Sequence, residues 1–245
     1  MEPLVPSEGW GVLHLLYRVD RTRAAAEPEA AKRIVDAVAA LERDDHQAIA
    51  FSVLGHKADL GVMALGPDLG RLQSFQQELL EAPLEPTYSF VSLTELSEYM
   101  PPDARTGEYA ENRLHPRLPP KRLLCFYPMA KRRQEGANWY ALSYDERKEL
   151  MGGHARVGRT YAGRVLQLIT GATGLDDWEW GVTLLADDPV AIKDIVYEMR
   201  FDEVSARYAE FGPFYVGLVA PIADALASVG LASGPSGSAA TPEGG

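Results

Sequence analysis

The sequence predicts an α+β protein of two related domains in tandem, each built on an antiparallel sheet. Three observations predict it. Strand and helix signals run in the order β-α-β-β-α-β and then run in that order again. A proline-rich stretch, residues 101–120, separates the two runs. Asp59-Leu60-Gly61-Val62, a strand leading into a helix, has a counterpart in Glu179-Trp180-Gly181-Val182 in the second half.

In the first half, residues 11–19 are mostly apolar and predict a strand. Ile34, Val35, Val38 and Leu41 stand at helical spacing within a predicted helix over 24–43. Residues 48–54 predict a strand, G-H-K-A-D a turn, and 60–65 the partner strand. Pro67 and Gly70 punctuate the entry to a helix over 72–80, and 88–96 predicts the fourth strand. Residues 101–120 hold five prolines, mixed charges and no periodicity, which predicts a connecting loop. Loops of that length tend to be functional or mobile.

In the second half, 122–129 predicts a strand and 143–153 a helix whose S-Y-D-E start is a capping box. A strand over 163–170, a G-A-T-G-L-D-D turn and a returning strand over 178–185 follow. D-D-P at 187–189 opens a helix over 190–200, with acids and a proline where the helix dipole and the missing N–H suit them. Residues 214–219 predict the last strand. The expected organisation is residues 1–100, a connecting loop at 101–120, a second domain at 121–232, and a disordered Gly/Ser/Ala/Pro-rich tail at 233–245.

A chain of 245 residues, 46% apolar, can bury a sizeable core. A net charge of −11 argues against nucleic acid or an anionic membrane as the main partner, because both reward a basic surface. A single cysteine, Cys125, excludes an internal disulfide. The N-terminus lacks a signal-peptide pattern, and no uncharged apolar run reaches the about 18 residues of a membrane span. The expected compartment is the cytoplasm.

Strand alternation sorts the chemical candidates by face. Leu123, Cys125, Tyr127 and Met129 share one face of their strand; Val165, Gln167 and Ile169 share one face of theirs. If both faces point into the second domain, Tyr127, Met129 and Gln167 line a pocket. Satisfied core polar groups are the alternative. His154 follows two glycines at the predicted helix end, with no second ligand at zinc spacing. It is either a helix-capping histidine or a haem ligand, since haem needs only one protein ligand and leaves its other face open for peroxide chemistry. Arg113, Lys131, Arg200 and Ser205 offer donors suited to carboxylates. Arg132, Arg133 and Arg147 suit a solvated face, and Asp176-Asp177 and Asp187-Asp188 suit turns and caps. There is no P-loop, Rossmann fingerprint or nucleophile elbow.

Four strings, F-Y-P-M-A-K-R-R (126–133), N-W-Y-A-L (138–142), G-L-D-D-W-E-W-G-V-T-L (174–184) and Y-E-M-R-F-D-E-V-S-A-R-Y-A-E-F-G-P-F (197–214), closely resemble the chlorite dismutase-like haem proteins. Within that family they resemble the branch that decarboxylates coproheme. The resemblance spans nearly all of the second half. In the first half it rests on G-W-x-V-L-H (9–14) and V-L-G-H-K-A-D-L (53–60). It implies two ferredoxin-like domains of the dimeric α/β-barrel type, commonly assembled as a homopentamer. The implied reaction is hydrogen-peroxide-dependent oxidative decarboxylation of iron coproporphyrin III (coproheme) to haem b, through a three-propionate intermediate and a tyrosyl radical.

The resemblance assigns His154 as proximal iron ligand, Tyr127 as radical-forming tyrosine and Lys131 as proton donor. It assigns Arg113, Arg200 and Ser205 to propionates, Met129 and Trp178 to the pocket lining, and Gln167 to the distal amide. True chlorite dismutases place an arginine where Gln167 stands, and a neutral amide cannot supply that charge to an oxychlorine intermediate. Some coproheme decarboxylases use a distal histidine as base, for which His115 is the nearest candidate. Ferrochelatase is a further expected, transient partner. Two other readings remain open at this point: a haem-binding or haem-transfer protein with incidental peroxidase activity, and a regulatory or scaffold pentamer.

Overall fold

The computed structural model describes residues 3–231, so the expected tail at 233–245 lies outside the described residues. The first half contains β1 (Gly11–Val19), α1 (Arg21–Ala26), α2 (Ala30–Arg43), β2 (Gln47–Val53), β3 (Leu60–Gly66), α3 (Leu69–Leu80) and β4 (Leu84–Thr94). After α4 (Glu108–Leu114) come β5 (Leu123–Lys131) and a small hairpin, β6 (Arg133–Gln134) and β7 (Ala137–Asn138). Then follow α5 (Tyr144–Arg159), β8 (Val165–Gly171), β9 (Trp180–Ala186), α6 (Pro189–Met199), β10 (Ala209–Phe211), β11 (Tyr215–Val219) and α7 (Ile222–Ser228). The order β-α-β-β-α-β thus occurs twice, as the sequence predicts.

Three boundaries differ for identifiable reasons. The helix predicted over 24–43 is two helices, because Pro28 cannot donate to the ladder and its ring clashes with the preceding turn. Asp20 caps the first of them, accepting from the backbone of Thr22 and Arg23. β4 starts four residues before the predicted strand, since Pro86 sits beside a bulge in its pairing with β1. The loop at 101–120 carries α4 and a 3₁₀ turn, Pro102–Ala104. Its end is pinned, because the Gln47 amide exchanges two hydrogen bonds with the backbone of Leu118, at 2.8 and 3.0 Å.

Each half forms an antiparallel four-stranded unit, in the order β2-β3-β1-β4 and β8-β9-β5-β11. The units join edge to edge twice. β4 meets β8 through Leu93–Gly171 and Thr94–Thr170, and β11 meets β2 through Gly217–Val53 to Val219–Phe51. With β5 also paired to β9, eight strands close into a barrel with no free edge along the ring. β10 lies beyond β11 on the same edge of β5, offset from it by the Gly212–Pro213 break.

Alternation then divides the apolar residues among three layers. Val12, Leu16, Phe51, Met63, Phe90, Leu124 and Phe126 fill the barrel. Leu13, Leu15 and Tyr17 face α2, α3 and α7 outside it. Leu123, Cys125, Tyr127, Val182 and Leu184 face outward in the second half, toward α6. Complete burial of a ring such as Phe126 contributes about 2–3 kcal/mol. His14 is the exception inside the barrel. It stacks on Phe126 at 3.9 Å and its Nε2 lies 2.7 Å from Thr183 Oγ1, while burial pulls its pKa down to about 3.

Candidate active site

The helix α5 departs most from the sequence pattern. Ser143 and Glu146 form the predicted capping box, but Gly152-Gly153 do not end the helix, which runs on to Arg159. The chain turns only afterwards, where Gly163 takes φ +82°. His154 therefore lies inside a helix and is not a capping residue, and one of its two readings falls. Gly158 is the only buried residue of the sixteen, whereas α2 buries six. A Cβ at Gly152 would meet nothing within 4 Å, and one at Gly153 only the Arg156 side chain. Two interior glycines cost a helix about 1 kcal/mol each relative to alanine. At one and two residues' spacing they point to other sides of the helix than the histidine.

His154 is held by a residue 48 positions away. Its Nδ1 lies 2.7 Å from Asp202 Oδ2. The carboxylate accepts the Nδ1 proton, which leaves Nε2 as the nitrogen with a free lone pair. The His154 side chain is 29% exposed and that of Asp202 is 7% exposed, so the anchor is buried and the ring open. Asp202 Oδ2 also accepts from Ser205 N at 3.1 Å and Ser205 Oγ at 3.3 Å. Ser205 lies in a π-helical turn, Val204–Tyr208, whose Val204 and Tyr208 pack with Trp139 and with Leu150 and Met151 of α5. That small cluster docks the turn against the helix one turn before His154.

Lys131 ends β5 on the same face as Tyr127 and Met129. Its ammonium is buried and lies 4.7 Å from the centre of the Trp139 ring. Burial pulls its pKa down to about 8, against the opposing pull of Asp202 and Glu179. Tyr127 is buried, stacked on Phe214 at 4.3 Å and edge-on to Phe211 at 5.7 Å. Burial pushes its hydroxyl well above the usual phenol range.

The face carrying Tyr127 turns away from the barrel interior, toward the helices. Across it, Tyr127 pairs with Val182 and then Ile169, and the next row is Cys125, Leu184 and Gln167. Gln167 and Tyr127 thus share one surface, two strands and one row apart, roughly 12 Å by sheet spacing. Gln167 Nε2 donates to Gly158 O at 3.1 Å, and Gly158 is one helical turn from His154 on the same side of α5. The expected pairing of His154 and Gln167 across one space is therefore compatible with the geometry, although the amide binds the helix itself.

Trp178, Arg113 and His115 have other surroundings, whereas Arg200 is near Tyr127. Trp178, expected in the pocket lining from the resemblance, packs with the barrel-filling cluster and beside Pro128 and Gly212. Arg113 is exposed on α4 and touches Tyr109 of its own helix. His115 is paired with Glu111 at 3.0 Å and packed beside Trp10, which gives it no contact with Gln167 or His154. Arg200 caps α6 and lines a cavity of about 450 Å³ with Phe214, the ring stacked on Tyr127, and with Cys125 of the same face. Asp202, Glu179, Trp139 and Phe214 all fall inside the strings quoted above without standing out. The D-x-x-S spacing of Asp202 and Ser205 was the one local signal.

An iron porphyrin fits this donor set. A single imidazole with Nδ1 anchored and Nε2 open suits one axial ligand, and no group of three or more His, Cys, Asp or Glu suited to a metal occurs among the described residues.

Comparison with known proteins agrees. The family model described as chlorite dismutase matches residues 25–220. A coproheme decarboxylase of Staphylococcus saprophyticus is 43% identical over 227 residues, covering 86% of this chain and 91% of the relative. One from Staphylococcus carnosus is 44% identical over 232 residues, covering 87% and 93%. A solved haem-binding protein from Thermus thermophilus superposes with a TM-score of 0.84 at 44% identity, covering 91% of this chain and 96% of that one. A variant chlorite dismutase from Candidatus Nitrospira defluvii, at 18% identity and a TM-score of 0.73 over 91% and 96%, shares the fold.

Proposed function

The chain belongs to the chlorite dismutase family, and we propose that within it the protein is a coproheme decarboxylase. It converts iron coproporphyrin III to haem b by peroxide-dependent loss of two propionate carboxylates, through a three-propionate intermediate. The observation that carries this reading is the His154–Asp202 pair, which frees one imidazole nitrogen on α5.

Bound coproheme supplies the iron that reacts with peroxide and the propionates that are lost. Each step turns a propionate into a vinyl group and carbon dioxide, while one peroxide and one proton become two waters. His154 Nε2 is the iron ligand, and Asp202 fixes the ring. Tyr127 loses its phenolic hydrogen and then takes one from a propionate β-carbon. The flanking rings of Phe211 and Phe214 hold it for that transfer. Lys131, with a pKa of about 8, supplies the proton near neutral pH. Arg200 and Arg113, with exposed guanidinium groups, bind propionates. Ser205 does the same only by turning its hydroxyl from Asp202. Met129 lines the pocket beside Tyr127. Gln167 exchanges Gly158 O for the peroxide side of the substrate. Its lack of charge speaks against chlorite as substrate.

The test is anaerobic titration of the coproheme complex with hydrogen peroxide, with the porphyrins resolved by mass. Successive loss of two carbon dioxide units is expected. Bleaching without mass loss favours the second reading, a haem-binding or haem-transfer protein, which the likeness to the Thermus protein keeps in view. The family resemblance also supports a cytoplasmic homopentamer with transient ferrochelatase contact, to be checked by sedimentation and by co-purification. Among the described residues, no helix is long and apolar enough to cross a membrane.

A further inference from the structure

β9 begins at Trp180, opposite Met129, so β5 runs two residues beyond the last partner that β9 supplies. Glu179 fills that gap. Its backbone N–H donates to Met129 O at 3.1 Å and its carbonyl accepts from Ala172 N at 2.8 Å, which pins it between β5 and the end of β8. Its carboxylate is 6% exposed as a residue, and Oε2 accepts the Lys131 backbone N–H at 2.8 Å. Oε1 pairs with the Arg133 guanidinium, which lies 4.9 Å from the Tyr140 ring centre. A buried carboxylate without such partners is costly, and this one is fully engaged.

We propose that Glu179 is a positioning residue for Lys131, its carboxylate standing in for a strand partner at the end of β5. This rests on the reading of Lys131 as proton donor. Without Glu179 the last two residues of β5 lose their inner-edge partner, although Ala209 of β10 still pairs with Lys131 on the other edge. The charged groups facing Lys131 are then Asp202 from the segment after α6 and Glu179 from the turn before β9, with Arg133 paired to the latter. The Trp139 ring covers the remaining side.

The experiment measures the titration of Lys131 in the ligand-free chain, by its rate of modification with an amine-selective reagent against pH, located by peptide mass. Glu179→Gln keeps the shape and removes the charge. Its midpoint is expected to fall by about one pH unit, the size of a nearby opposite charge's effect. Glu179→Asp is expected to lie between the two. Arg133→Ala, which leaves the carboxylate in place, is expected to stay within half that shift. Equal midpoints in wild type and Glu179→Gln overturn the proposal. The pH profile of carbon dioxide release is then compared. A profile that ignores a moved Lys131 midpoint leaves the positioning intact and removes Lys131 from the reaction.

Discussion

His154 Nδ1 and Asp202 Oδ2, 2.7 Å apart, join the middle of α5 to the segment that follows α6. The pair selects one tautomer of the imidazole and aims its other nitrogen outward. Asp202→Asn removes the charge and is expected to weaken coproheme binding about 10–100-fold, the usual effect of losing a ligand's orienting partner. Absorbance titration checks this. An unchanged affinity would detach Asp202 from iron ligation.

Tyr127→Phe keeps the stack on Phe214 and removes only the hydroxyl. Coproheme is expected to bind as before, and the first decarboxylation to stop. Haem b formed at the wild-type rate would refute the radical route.

Gly152 of α5 separates stability from binding. Gly152 has open space around its Cβ position, so Gly152→Leu is expected to stabilise the helix by up to about 1 kcal/mol. Residues two apart point to different sides of a helix, so the new side chain stays clear of His154 and coproheme binding is expected to be unchanged. Denaturant melts and titrations of one variant read both. Weaker folding, or coproheme binding lost with folding intact, would contradict this reading of the helix.

His14 predicts an acid limit to stability. Its folded pKa of about 3 is below the unfolded value of 6.5, so the unfolded chain takes up the proton first. The stability involved is complete above pH 6.5 and is lost as pH falls through 6.5 toward 3. The full shift corresponds to about 5 kcal/mol at most. His14→Leu is expected to flatten that part of the profile, in denaturant melts from about pH 7 to about pH 4. A profile as steep as wild type would place the acid sensitivity in the carboxylates instead.

The doubled β-α-β-β-α-β order was legible because alternation and helical spacing are local. Closure of the barrel was not, since it depends on β4 finding β8 and β11 finding β2 across long stretches of chain. Tyr127, Met129 and Lys131 could be placed on one face by counting alone. Asp202 could not be joined to His154, because only the packing of Trp139, Val204 and Tyr208 against α5 brings them together. Gly152-Gly153 was misleading in isolation: glycine often follows a helix, yet here the ladder continues through both. Trp178 came from the resemblance alone, and its packing with the barrel-filling cluster depends on contacts no local pattern shows.

The most direct test is a crystal structure of the chain with coproheme bound. Iron coordinated by His154 Nε2, with the Tyr127 hydroxyl beside a propionate, is the predicted result. Iron held by another atom, or the Tyr127 hydroxyl turned from the macrocycle, would contradict the account.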